Sequence, residues 1–158
     1  LALVSDAGTP GISDPGNKLI AKMKEAEPLS SQPLSSRSSL IRIVPVPGPS
    51  ALTAAASIAG FSMDKFVFMG FPPVKNKRKK FFEEATNSKY PVVLYESPYR
   101  IVKTLKELAI MDKGLRVVLC RELTKKFETI YRGTIEEALK QLEADKILGE
   151  FVIIIRDK

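Results

Sequence analysis

The run VSDAGTPGISDPG at residues 4–16 decides how the first part of the chain is read. Leu1, Ala2, Leu3 and Val4 form a short apolar stretch of strand length that enters a turn rich in glycine and proline. Ser13, Asp14 and Pro15 then give a helix-start signal, a capping side chain followed by proline in the first turn. The helix expected there carries Leu19, Ile20 and Met23 on its apolar face and ends near Glu27. The same order recurs once. Residues 41–46 are a second apolar stretch, Pro47, Gly48, Pro49 and Ser50 follow, and residues 51–59 read as an alanine-rich helix closed by Gly60. Each loop lies between a strand end and a helix start, where open α/β sheets bind ligands. Glycines let backbone approach a ligand closely. Asp6 and Asp14 suit a cationic or hydroxyl-rich ligand better than a phosphate. Ser50 is placed as a helix cap beside amides that can take a carboxylate or a ring nitrogen. Neither loop matches a Walker loop or the G-x-G-x-x-G fingerprint. On the residues alone, a ligand site and a tight turn with an aspartate cap are both open for residues 6–14.

Working outward, residues 28–40 read PLSSQPLSSRSSL, a serine- and proline-rich near-repeat with no apolar face, which predicts a flexible surface insert. A second lobe begins after Gly60. Strands are expected at 66–71, 91–95, 115–120, 127–132 and 149–156. Helices are expected after the basic run KNKRKK at 75–80, after Glu96-Ser97-Pro98, and after Thr134, where Glu137 completes a capping box. The expected fold is α/β and two-lobed. Residues 1–62 form one lobe with a parallel sheet, and residues 63–158 form a second with a mixed sheet.

Composition narrows the chemistry. There is no histidine among the 158 residues, so Ser-His-Asp and Cys-His catalysis are excluded, and with them the usual neutral-pH base. One cysteine, Cys120, excludes an intramolecular disulfide, argues against a cysteine zinc site, and reads as a small core residue. No metal site is expected. No apolar run reaches the roughly 18–20 residues needed to span a bilayer, and the start has no secretory-signal pattern. The chain opens on a residue other than Met, inside an expected strand, which predicts that its natural N-terminus lies further upstream. Lys plus Arg number 25 against 18 Asp plus Glu, a net charge of +7, and that excess attracts polyanions such as phosphate backbones.

Five runs carry a resemblance: VSDAGTPGISDPG at 4–16, VPGPSA at 46–51, YESPYR at 95–100, CRELTKKFE at 120–128 and RGT at 132–134. In this order they resemble the tetrapyrrole methylase superfamily. Within it they look like the rRNA small subunit methyltransferase I branch, the 16S rRNA (cytidine-2′-O)-methyltransferases. The resemblance implies two α/β lobes with an S-adenosylmethionine cleft between them. It implies cofactor contacts from Asp6, Ala7, Gly8, Thr9, Ile12, Ser13, Asp14, Pro47, Gly48, Ser50 and Ala51, completed by Tyr95 and Glu96. It also implies a cytoplasmic homodimer acting on the small ribosomal subunit. Three features depart from the pattern: the family's first strand and loop are absent, its C-terminal tail is missing, and the 28–40 stretch is longer than expected.

In such a reaction a ribose 2′-oxygen attacks the activated methyl group in line, and a carboxylate takes the proton. Glu96 is the first candidate, then Asp6 and Asp14. The other reading makes Glu96 part of a helix cap and Asp14 an N-cap. RNA contacts are expected from Lys75, Lys77, Arg78, Lys79 and Lys80, and from Arg100, Arg121, Lys125 and Lys126 in the family-like runs. Tyr99 is a platform for an unstacked base. The basic run reads equally as a solvated face, and either arginine as an ion-pair partner, for instance of Glu122. Alternatives at the level of function are a small-molecule methylase of the same fold, a catalytically silent RNA-binding fragment, and a sugar-phosphate enzyme, which the missing phosphate loop disfavours.

Overall fold

A computed structural model describes residues 2–25 and 43–156. The insert expected at 28–40 lies outside the described residues. The chain divides into two compact units, Leu1–Ser50 and Ala51–Lys158. The division falls at 50/51 rather than at 62/63, because the alanine-rich helix packs on the second unit's sheet through Ala55 and Ala59.

In the first unit the described residues form one helix, α1 (Asn17–Glu25). It starts later than the Asp14 cap predicts. Gly16 carries the first helical acceptor, its carbonyl receiving the amides of Leu19 and Ile20. Ser13 at φ 58° and Gly16 at φ 144° break the helical path before it. Residues 2–5 and 43–50 are not paired into a sheet, so the strands expected at 1–4 and 41–46, and the parallel ladder between them, are not formed among the described residues. A strand is defined by a neighbour's amides and carbonyls, and these two segments do not supply them to each other. Val4 and Val46 accordingly stay 83% and 84% exposed.

The second unit is a five-stranded mixed sheet with helices on it. In chain order it contains α2 (Ala51–Ser57), β1 (Val67–Gly70), α3 (Arg78–Thr86), β2 (Val92–Glu96), α4 (Ile101–Met111), β3 (Arg116–Arg121), β4 (Thr129–Thr134), α5 (Ile135–Glu143) and β5 (Phe151–Arg156). The strand order is β1-β2-β5-β3-β4. β1 and β2 are parallel, and the other neighbours are antiparallel. The central strands are apolar throughout because both faces are covered. Alternate residues divide between two cores, as a pleated strand requires. Val92, Leu94, Val117, Leu119, Phe151, Ile153 and Ile155 face α3, α4 and α5, where Phe82, Leu105, Leu108, Ala138 and Leu142 meet them. Val93, Val118, Cys120, Val152 and Ile154 face α2 and the segment that follows it. Cys120 is fully buried, and burial pushes its thiol up to about 11.

The register sets the geometry of the sheet end. Phe151 lies between Glu96 of β2 and Arg121 of β3. β2 and β3 therefore run the same way and finish at the same edge. β1 finishes there too, since Gly70 is level with Leu94. The loops after β1, β2 and β3 all emerge at that rim.

At the opposite rim the predicted capping box closes the start of α5. Thr134 Oγ1 accepts from the Glu137 amide at 3.3 Å, and the Glu137 carboxylate accepts from the Thr134 amide at 2.8 Å. A Cβ on Gly133, at φ 139°, would collide with that carboxylate. Thr134→Ala is expected to destabilise the chain by about 1 kcal/mol, read as a lower urea midpoint at unchanged m-value.

Candidate functional site

Two groups of site residues can be built up, one in each unit. In the first unit, Ser5 Oγ donates to the carbonyls of Ala7 and Gly8, both at 3.3 Å, and curls the chain after the apolar run. Gly8 and Gly11 take φ 76° and 82°, values that a residue with a Cβ rarely adopts. Asn17 Nδ2 donates to the Gly11 carbonyl at 3.0 Å and closes the loop against α1. Thr9 Oγ1 donates to the Pro49 carbonyl at 3.2 Å. That bond joins two loops forty positions apart in sequence and sets Gly8 and Thr9 beside Pro49. Gly8 has room there, since its Cβ would stand 3.8 Å from the Pro49 carbonyl oxygen. Asp6, Ile12 and Ser13 are exposed, and Asp14 is half-buried.

In the second unit, Tyr95 and Glu96 end β2. The Tyr95 ring lies edge-on to Phe68 and Phe71, with centroids at 4.9 and 5.6 Å. Its hydroxyl accepts from the Leu52 amide in the first turn of α2, at 3.1 Å. Glu96 is enclosed. Its Oε1 accepts from the Ser97 amide at 2.8 Å and pairs with the Arg100 guanidinium at 2.7 Å, and its Oε2 accepts from Thr104 Oγ1 at 2.7 Å. The helix-start signal at 96–98 acts through this carboxylate and a turn in which the Ser97 carbonyl accepts from Arg100 and Ile101. A buried carboxylate with three donors is well satisfied.

The chain of contacts continues to Arg78, the first residue of α3. Arg78 Nη2 donates to Thr104 Oγ1 at 2.6 Å, Nε pairs with Glu107 at 2.5 Å, and Nη1 donates to the Pro73 carbonyl at 2.8 Å. Its guanidinium also lies 4.8 Å from the Phe82 ring centroid. Arg100 Nη1 donates to the Pro72 carbonyl at 3.1 Å. Arg78 thus belongs to the interior, whereas Lys75, Lys77, Lys79 and Lys80 of the same basic run are exposed. Sequence reasoning grouped the five together and did not find Thr104 and Glu107. Part of the signal was available: Thr104 and Glu107 stand three apart on α4, a spacing that shares one helix face.

Arg121 is buried as well. Its guanidinium meets Asp145 at 3.1 Å, Thr129 Oγ1 at 2.9 Å and the Lys146 carbonyl at 2.5 Å. The partner is Asp145 and not Glu122. Tyr131 donates to Asp145 at 2.8 Å, and that bond, followed by the Lys146 amide, holds the Asp145 carboxyl below its usual range. Glu122 instead accepts from the Glu150 amide at 2.8 Å and from Lys125 Nζ at 3.0 Å, which lowers its carboxyl in that order of importance. Lys125 also pairs with Glu150 at 2.8 Å, and both bonds raise its ammonium above the ordinary value. Lys126 and Phe127 remain exposed. Among the described residues no group of three or more Cys, Asp or Glu side chains could hold a metal ion, and no helix is long and apolar enough to cross a membrane. A cavity of about 600 Å³ beside β1 is lined by Val67, Met69, Glu83, Asn87 and neighbours, and it carries none of the family-like runs.

This geometry has counterparts. The profile of the Tetrapyrrole (Corrin/Porphyrin) Methylases matches residues 1–139, and the chain belongs to that family. Among individual proteins it is similar to Ribosomal RNA small subunit methyltransferase I of Synechocystis sp., with 38% identity over 157 residues, 98% of this chain and 52% of that protein. The protein of the same name from Xylella fastidiosa is 41% identical over 99% of this chain and 54% of its own length. The one from Thermotoga maritima is 34% identical over 100% and 65%. The chain spans about half the length of most of these curated relatives. Among solved structures, the methyltransferase CobJ superposes with a TM-score of 0.60 at 17% identity, covering 95% of this chain and 62% of that one. The cobalt precorrin-4 methyltransferase CbiF gives 0.54 at 18%, covering 70% and 50%. At those identities the likeness is one of fold.

Two outcomes are expected from the site geometry. Arg100→Met leaves the buried Glu96 carboxylate without its cation and should cost about 3–5 kcal/mol in urea unfolding. The depressed Glu122 carboxyl contributes stability above the unfolded-state value of about 4.3, and that contribution is lost as pH falls through the lower folded value. The stability of Glu122→Gln should therefore fall less steeply than that of wild type below about pH 4, as thermal melts at stepped pH would show.

Proposed function

We propose that this chain acts in S-adenosylmethionine-dependent methylation of small-subunit rRNA, at the ribose 2′-hydroxyl of a cytidine. The observation that carries the reading is the Thr9–Pro49 hydrogen bond, which brings the two glycine- and proline-rich loops of the first unit together. Relatives covering 98% or more of this chain are named as small-subunit rRNA methyltransferases, which supports the substrate class. So does the net charge of +7.

The residues fit the cofactor's chemistry. When bound, S-adenosylmethionine supplies a methyl group on a cationic sulfur. Asp6 and Asp14 offer negative charge to the cation, and the positive-φ Gly8 and Gly11 let the backbone close on the ligand without side chains in the way. Pro47, Gly48 and Ser50 form the facing wall. The 2′-hydroxyl must lose a proton, and these 158 residues hold no histidine to take it. Asp6, exposed at the loop start, is the acceptor in this reading. Glu96 serves by fixing Arg100 and the turn after β2. Proton transfer to a placed carboxylate is worth about 10²–10⁴-fold. The exposed Lys75, Lys77 and Lys126 hold phosphates.

Calorimetric titration with S-adenosylmethionine should show binding near the micromolar range, about −8 kcal/mol, that Ser50→Tyr removes at unchanged thermal stability. Asp6→Asn should then slow methyl transfer to 30S subunits by at least about tenfold. A chain that takes up no cofactor at millimolar concentration would sink this reading.

A further inference from the structure

The loops after β1, β2 and β3 share one rim of the sheet; each exposes an aromatic ring, and those after β1 and β3 expose lysines as well. Tyr99, after β2, is 96% exposed. Phe127, after β3, is 68% exposed, and Phe71, after β1, is 48% exposed. Burying such rings is a large stabilising term in ordinary folding, so three of them in water at one rim ask for a partner. Lys75 and Lys77 stand on the β1 loop and Lys126 on the β3 loop, all exposed. Lys126 Nζ lies 5.6 Å from the Phe127 ring centroid.

The backbone of the loops after β1 and β3 is tied down. Arg100 Nη1 and Arg78 Nη1 bind the Pro72 and Pro73 carbonyls, so the β1 loop is tied down on the β2 side. The β3 loop is held in a costly conformation. Glu122 at φ 50° and the β-branched Thr124 at φ 63° both sit in the left-handed region. The Thr124 amide donates to Glu128 at 2.6 Å, the Glu122 amide to the Glu150 carbonyl at 3.0 Å, and the Glu150 amide back to Glu122 at 2.8 Å. Strain that the surroundings over-determine in this way collects at functional sites. β1 and β3 are three strand spacings apart in the order β1-β2-β5-β3, roughly 14 Å, a span of a few nucleotides.

We propose that this rim binds an unpaired stretch of RNA, with Tyr99 and Phe127 each stacking a base and Phe71 flanking the path. The proposal rests on the RNA reading above and adds the conformation of the substrate and the residues that read it. Aromatic rings interleaved with lysines suit single strands, because every base has a face to stack. A paired A-form helix keeps those faces inside its stack, and its deep groove admits no side chain.

Fluorescence anisotropy of the chain with a labelled twelve-nucleotide oligocytidylate, and with a duplex of equal length, tests this across a salt series. Tyr99→Ala and Phe127→Ala should each weaken single-strand binding about fivefold or more without changing the salt slope, and Tyr99→Phe should restore it. Lys126→Ala should lower the slope by about one. Duplex binding should be weaker and indifferent to the aromatic variants. Wild-type affinity in both alanine variants, equal affinity for duplex, or no single-strand binding would each overturn the proposal. Cofactor titration and methyl transfer to 30S subunits, run on the same samples, separate the two readings. Methylation that persists beside an indifferent rim removes only the rim, and aromatic-dependent binding without methylation removes only the enzyme.

Discussion

A single enclosed carboxylate, Glu96, sits where the second unit changes from sheet to helix, and the neighbouring structure is arranged around its charge. A carboxylate taken out of water is tolerated only when its acceptor sites are filled and a cation faces it. The Ser97 amide, Thr104 and Arg100 meet those conditions and in doing so set the turn between β2 and α4. Thr104 passes the network to Arg78, and Arg78 to Glu107, so α3 is registered against α4 by polar contacts as well as by Phe82 and Leu105. The two guanidiniums reach back to Pro72 and Pro73 and hold the loop after β1. One buried negative charge thereby orders three consecutive elements and a loop.

The far side of the same rim has its own arrangement. Arg121 is enclosed by Asp145, Thr129 and the Lys146 carbonyl, and Glu122, Lys125 and Glu150 link the β3 loop to the segment before β5. Arg78, Arg100 and Arg121 thus use their guanidiniums for bonds within the protein, and the expected RNA contacts that stay exposed are lysines. That division suits the two cations. The planar guanidinium makes several directed bonds at once, while the hydrated ammonium is a mobile point charge that suits a phosphate backbone.

Family membership and the first unit bear on each other. The runs at 4–16 and 46–51 lie far apart in sequence, and the hydrogen bond from Thr9 to Pro49 joins them. The conformations there depend on Gly8, Gly11 and Gly16, and Gly16 is further constrained because a Cβ would stand 2.8 Å from Leu3 Cδ2. Glycine is the residue for those positions on steric grounds alone.

Much of the second unit was legible from local pattern. The strands at 92–96, 116–121 and 151–156, the Thr134–Glu137 capping box, the burial of Cys120 and the mixed sheet all follow from short-range periodicity and cap chemistry, which act within a few residues. The residues of the candidate loops were legible too, because glycine and proline spacing is itself the signal. What the residue string did not contain was the pairing of charges. KNKRKK reads as one basic run, yet Arg78 turns inward while its neighbours stay in water, and Arg121 pairs with Asp145 and not with the adjacent Glu122. Sequence adjacency does not say which side of a helix or loop a long side chain will take, nor which distant carboxylate it will meet. The same holds for the apolar runs at 1–4 and 41–46, whose composition is that of strands. Apolar alternation sets what a segment can bury, and a strand forms only where the tertiary structure brings another backbone alongside it.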